Sequence, residues 1–103
     1  MKKITDENAG HEISNAENPL LVKFTGEECS ACKMLDAPLS EIAAEGEIDV
    51  VSADVADCGA LANRIGVRGL PLMALYVNGK LLNTKSGAAS KSQIQLWIKG
   101  ALG

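Results

Sequence analysis

With 103 residues the chain is long enough to bury one modest core and too short for two, so a single domain over residues 1–103 is expected. A composition of 47% hydrophobic and 22% charged residues excludes a disordered chain, and a net charge of -3 with ten scattered basic residues excludes a nucleic-acid partner. The start, Met1-Lys2-Lys3-Ile4-Thr5-Asp6-Glu7, turns acidic where a signal peptide needs an apolar segment, and no stretch reaches the ~20 apolar residues of a membrane span, so a cytoplasmic protein with no membrane partner is expected.

In chain order, Lys2 to Ile4 reads as a short strand, and Asp6 to Asn15 as a helix with Ala9, Ile13 and Ala16 at helical spacing and Gly10 inside it. Asn18-Pro19 ends that segment, and the apolar run Leu20 to Thr25 reads as a central strand buried on both faces. From Ala31 to Glu45, Leu35, Leu39 and Ile42 mark the buried face of one helix, kinked by Pro38 and stopped by Gly46. Ile48 to Ala53 is a strand rich in β-branched residues, and Gly59 to Ile65 a short helix that turns Leu61, Ala62 and Ile65 inward, with Cys58 as its cap. Leu72 to Val77 and Lys80 to Ser86 flank Asn78-Gly79, a pair that tolerates positive φ at both turn positions and predicts an antiparallel hairpin. Ser90-Lys91-Ser92-Gln93 matches a capping box ahead of a terminal helix with Ile94, Trp97, Ile98, Ala101 and Leu102 on its inner stripe. The order βαβαβαββα predicts an α/β fold, a mixed central sheet between two helical layers with the hairpin at its antiparallel edge.

The chemistry concentrates in Cys29-Ser30-Ala31-Cys32, at the junction between a strand and a helix. Two thiols with this spacing can close a small disulfide ring, and the first lies beside helix amides that favour its anion, while the second is one turn inside and covered. An odd count of three cysteines, two of them in this motif, fits a catalytic thiol pair in a reducing compartment better than a disulfide framework.

Leu21-Val22-Lys23-Phe24, Cys29 to Leu35, Asp54-Val55, Gly66-Val67-Arg68-Gly69-Leu70-Pro71, Val77-Asn78-Gly79-Lys80 and Ser86-Gly87-Ala88 together give the chain, over nearly its full length, a sequence that resembles the thioredoxin family. The resemblance implies a thioredoxin fold, a three-layer αβα sandwich, in a protein-disulfide reductase that acts as a monomeric electron carrier. It makes Cys29 the attacking thiolate, Cys32 the resolving thiol and Pro71 a cis-proline, with Gly69, Leu70 and Gly87 beside it on the substrate-binding surface. It implies no bound cofactor or metal beyond the redox-active disulfide. Electrons would come from a thioredoxin reductase-like flavoprotein that uses NADPH, and the substrates would be proteins that contain disulfides.

Departures from the family pattern set further expectations. Glu28 replaces the tryptophan of Trp-Cys-Gly-Pro-Cys, and Ser30-Ala31 replaces Gly-Pro. Glu27 and Glu28 add negative charge beside the nucleophile, opposing its ionisation and favouring basic targets, while Lys33 and the helix terminus act the other way. Lys23 occupies a central-strand position where the family has a buried acid that helps deprotonate the resolving cysteine. A desolvated lysine there would act as a neutral base or, if charged, stabilise a thiolate; the simpler expectation is a stem that snorkels to solvent. Asp36, four residues after Cys32, is a candidate for the displaced acid, with a solvated helix carboxylate as the plainer reading. Pro38 sits one residue later than the family norm, and Leu72 replaces a common threonine, with ordinary strand packing as its favoured role.

Cys58 is expected to be a small helix-start residue rather than a regulatory thiol, His11 a solvent-facing helix residue, and Trp97 part of the core. A Cys₃His zinc set from Cys29, Cys32, Cys58 and His11 lacks the paired spacings of structural sites. Two alternatives stand beside the reductase: a glutaredoxin-like or more oxidising disulfide exchanger of the same fold, and a non-catalytic binding module.

Overall fold

A computed structural model describes residues 1–103. Its elements are β1 (Lys2–Ile4), α1 (Asp6–Ser14), β2 (Leu20–Thr25), α2 (Ser30–Lys33), α3 (Asp36–Ala44), β3 (Asp49–Asp54), α4 (Gly59–Ile65), β4 (Leu72–Val77), β5 (Lys80–Ser86) and α5 (Lys91–Leu102). The strands form one mixed sheet in the order β1-β3-β2-β4-β5. β3 runs parallel to β1 and β2, whereas β4 is antiparallel to both β2 and β5. The expected alternation of elements is therefore present, with one difference in the second helix.

That helix is broken into α2 and α3 at Met34 and Leu35. Pro38 has no N–H to give to the Met34 carbonyl, and its ring crowds that oxygen, so the helical bond four residues back is lost. The chain tightens instead, with the Leu35 N–H donating to the Cys32 carbonyl three residues back, before regular pairing resumes from Leu39 N–H to the Leu35 carbonyl. The turn that carries Cys32 and the helix α3 are thus separate pieces.

Alternation along β2 divides the core. Leu20, Val22 and Phe24 enter a cluster with Ile4, Ala9, Ile13, Ala53 and Leu61, beneath α1 and α4. Leu21 enters a second cluster with Leu35, Leu39, Ile42, Met73, Leu75, Ile94 and Ile98, beneath α3 and α5. Trp97 is only partly buried and packs against this second cluster, and Leu102 is 44% exposed, so the inner stripe of α5 is narrower than its spacing suggests. Leu72 is buried in the first cluster, as ordinary strand packing requires.

Local signals act as their chemistry dictates. Asn78 and Gly79 both take positive φ, 52° and 79°, and the side chains of Ser90 and Gln93 exchange the two bonds of a capping box at the start of α5. Cys58, however, makes no side-chain cap for α4. The Asp6 carboxylate does so from across the crossover, accepting from the Ala60 and Leu61 N–H groups at 3.0 and 3.1 Å. The Asp6 N–H in turn donates to the Asp57 carbonyl, which fixes the carboxylate over the helix start.

Losing a side-chain cap typically costs about 1 kcal/mol, and that displaces the melting temperature of a domain this size by roughly 4–8 °C. Asp6→Ala should therefore lower the melting temperature by that amount in thermal unfolding followed by circular dichroism, while Asp6→Asn, which keeps one acceptor oxygen, should recover part of it.

Candidate active site

The C-terminal end of β2 delivers the chain through Gly26, Glu27 and Glu28 to the start of α2. Gly26 is closely approached: a Cβ there would lie 2.8 Å from the end of the Leu70 side chain, which would have to move aside. Glu28 is exposed and has a φ of 56°, an uncommon conformation for a residue with a side chain, and it turns the backbone into the N-cap position held by Cys29.

Cys29 and Cys32 are joined by a disulfide. Cys29 is partly exposed, whereas Cys32 is 1% exposed, so the two sulfurs differ in access as the motif predicts. The Cys32 N–H points at the Cys29 Sγ from 3.2 Å. In the reduced protein the same amide would donate to a Cys29 thiolate, which stabilises the anion without any charged side chain. Lys33 is exposed one turn into the helix, and Ser30 is exposed beside the sulfurs.

Just ahead of β4, the Leu70-Pro71 peptide bond is cis. Gly69 is exposed, Leu70 is half-buried, and neither makes a hydrogen bond through its backbone groups, while the Pro71 carbonyl accepts from the Gly87 N–H at 2.9 Å. A short stretch of unpaired backbone therefore precedes the cis bond, and Gly87, just after β5, holds Pro71 from the other side.

Lys23 and Asp36, two separate candidates in the sequence, meet as an ion pair between β2 and α3. The Lys23 side chain is 6% exposed, so it does not snorkel to solvent as the simpler expectation held; its ammonium turns to Asp36, whose side chain is 54% exposed. The carboxylate is thus both a solvated helix residue and the partner of a buried cation. They line a polar cleft of about 440 Å³ over the β1 and β3 side of the sheet, with Lys3, Thr25, Ser52 and Asp54. Thr25 and Ser52 carry no motif of their own, and Asp54 was singled out only as part of Asp54-Val55; the strand register, which sets Lys23 beside Ser52 and Thr25 beside Asp54, brings them together.

Cys58 lies apart from this site, fully buried, with its Sγ donating to the Ile4 carbonyl at 3.2 Å. Burial pushes its thiol pKa up, and Asp6, Asp57 and Asp54 add to the shift. His11 is exposed on α1 against Asn15, and no group of three or more His, Cys, Asp or Glu side chains is placed to hold a metal ion. No helix is long and apolar enough to cross a membrane.

Comparison with known proteins agrees with this geometry. Residues 1–100 match the family model for thioredoxin. The chain belongs to the thioredoxin family. It is 32% identical to thioredoxin of Pseudomonas aeruginosa, with 92% of this chain and 90% of that protein aligned. It is 33% identical to thioredoxin of Haemophilus influenzae, with 92% and 91% aligned, and 31% identical to thioredoxin C-2 of Corynebacterium nephridii, with 91% and 89% aligned. Family and disulfide together make the protein a thiol-disulfide oxidoreductase of the protein-disulfide reductase type.

The sealed thiol of Cys58 has a consequence at alkaline pH. The folded chain holds the Cys58 proton to higher pH than the unfolded chain does, so stability is intact below the ordinary thiol value of about 8.5 and falls as pH rises through the raised one. Denaturant unfolding of the oxidised protein between about pH 7.5 and 9 should show this decline, and it should flatten in Cys58→Ala; above that window the tyrosine of the unfolded chain ionises at about pH 10 and adds the effect of Tyr76, also raised by burial.

Proposed function

We propose that Cys29 is the nucleophile and Cys32 the resolving thiol in a cycle that reduces disulfides of protein substrates. In the first half, the Cys29 thiolate attacks one sulfur of the substrate disulfide; a Cys29-substrate bond forms, the substrate bond breaks, and the departing thiolate takes a proton. In the second half, Cys32 loses its proton and attacks the Cys29 sulfur, so that the intramolecular disulfide closes and the second substrate thiol leaves. Two electrons pass to the substrate, and Cys29-Cys32 is left oxidised.

The observation that carries this reading is the asymmetry of the pair, one sulfur accessible and facing an amide, the other buried behind it. The unpaired backbone at Gly69 and Leu70, beside cis-Pro71, supports docking of an extended substrate segment by main-chain hydrogen bonds, with Gly87 bracing the platform through Pro71. Lys33 favours the Cys29 thiolate and Glu28 opposes it. Regeneration calls for a thioredoxin reductase-like donor that carries flavin and NADPH, so this chain acts as a monomer without a bound cofactor. A reducing, cytoplasmic setting fits a dithiol that must return to its reduced state after each turnover.

Turnover of a protein disulfide with dithiothreitol as the electron source tests the assignment. Cys29→Ser should lower turnover to the rate of dithiothreitol alone, and pre-reduced Cys32→Ser, mixed with substrate after the dithiothreitol is removed, should accumulate a substrate joined to Cys29, visible by mass spectrometry; turnover by Cys29→Ser above the dithiothreitol-alone rate would overturn it. Glu27 and Glu28, exposed next to the nucleophile, should favour cationic substrates. Glu28→Gln should therefore narrow the ratio of rates on basic and acidic disulfide peptides, most clearly at low salt.

A further inference from the structure

The outer side of the α2-α3 segment carries a graded stripe. Met34, Pro38, Glu41 and Glu45 follow at intervals of four, three and four residues, and Met34 and Leu35 keep helical torsions across the break. The four therefore share one side, apolar at the end near Cys32 and acidic at the other. Met34 is 68% exposed, so it adds little to the core. Opposite the stripe stand Ala88, Ala89 and Lys91, and a groove of about 570 Å³ lies between. Both walls continue segments described above. The Met34 N–H donates to the Ser30 and Cys32 carbonyls, and Ala88 follows Gly87, whose N–H holds the Pro71 carbonyl. The groove thus begins where the turn that carries Cys32 and the segment that braces cis-Pro71 leave off.

Charge is unevenly spent along it. Glu45 is engaged on both oxygens, with the Lys91 ammonium 2.8 Å from Oε2 and the Gln95 amide donating to Oε1 at 3.2 Å. Glu41 has only the same ammonium, at 3.6 Å, and its side chain is 61% exposed. Two carboxylates thus share one ammonium, and the cluster keeps one net negative charge. The bond that Pro38 cannot make also leaves the Met34 carbonyl without an N–H partner. A complementary group needs an apolar stem and a cationic head. Pro38 and Glu41 are about 4.5 Å apart in helix rise, a span that the stem of an arginine or lysine covers. A purely apolar side chain would leave Glu41 unmatched, and an acidic one would meet a like charge.

We propose that this groove is a specificity subsite for the exchange reaction, taking an arginine or lysine that flanks the disulfide of a protein substrate, its stem over Met34 and Pro38 and its head at Glu41. The inference rests on the reductase reading above and adds the class of substrate. Glu27 and Glu28 precede Cys29 whereas the groove follows Cys32, so the two acidic groups act on different positions of a bound segment.

Disulfide peptides that carry arginine, norleucine, glutamine or glutamate at one flanking position, moved along the peptide, provide the test, with dithiothreitol as the electron source and its own rate subtracted. At one position arginine should exceed glutamine in kcat/KM by about two- to fivefold at low salt, the range of an exposed ion pair, and the advantage should shrink as salt is added. Glu41→Gln should bring that ratio close to one. Lys91→Gln, which frees both carboxylates, should raise it, a sign that mere loosening between α3 and α5 does not produce. Met34→Ala should lower the rate on the norleucine peptide as well as on the arginine peptide, because both lay a stem on it. If Glu41→Gln keeps the ratio of the unaltered protein at every position, or if Glu41→Gln and Lys91→Gln move it the same way, the proposal is wrong. Failure of the reductase reading would look different: no peptide, whatever its charge, would be reduced above the dithiothreitol background, and the inference would fall with it.

Discussion

Burial of β2 on both faces is the constraint from which the rest of the structure follows. A strand with neighbours on either side has all its main-chain groups paired, and its side chains must alternate between two separate interiors. Leu20, Val22 and Phe24 go one way and Leu21 the other, so two helical layers are needed, and α1 with α4 and α3 with α5 supply them. The same strand ends at Thr25 and points its continuation at the cysteines. The redox pair therefore follows directly from a buried central strand, and an error in the register of β2 would misplace core and chemistry together.

The site combines three local devices. An amide of the first helical turn faces the accessible sulfur, Glu28 takes a positive φ just before it, and the segment before cis-Pro71 leaves main-chain groups unpaired. None of these depends on an aromatic residue next to Cys29, so the exchange of the family tryptophan for Glu28 alters what the surface prefers to touch and leaves the thiol chemistry in place. Between β2 and α3, the strand carries a buried cation, Lys23, and the helix carries its partner acid, Asp36.

Features carried by a few adjacent residues were legible in the sequence. Asn78-Gly79 dictates its turn through backbone torsions, Cys29 to Cys32 dictates a ring through spacing, and Ser90 with Gln93 dictates a helix start through two short hydrogen bonds. Pro38 signalled a disturbance in the helix, but where the helix parts depends on which carbonyl the ring excludes, and that was visible only in the hydrogen-bond pattern around Met34 and Leu35. Partnerships across the fold were illegible for a simple reason: Lys23 and Asp36 meet because a strand and a helix from different layers pack together, and Asp6 reaches Ala60 and Leu61 because β1 returns beside β3. Cys58 stands at the helix start as its place in the chain implies, yet its thiol serves Ile4 rather than the helix, because a distant carboxylate already occupies the amides.

That carboxylate gives the opening residues an influence far beyond their size. Ile4 plugs the first core cluster and Asp6 grips a helix that begins more than fifty positions later, so the beginning of the chain works as a clasp rather than a loose tail. Clipping those few residues would unzip the far side of the molecule before it touched the sulfurs, and a fusion partner attached there belongs ahead of Lys2, where the clasp can still close.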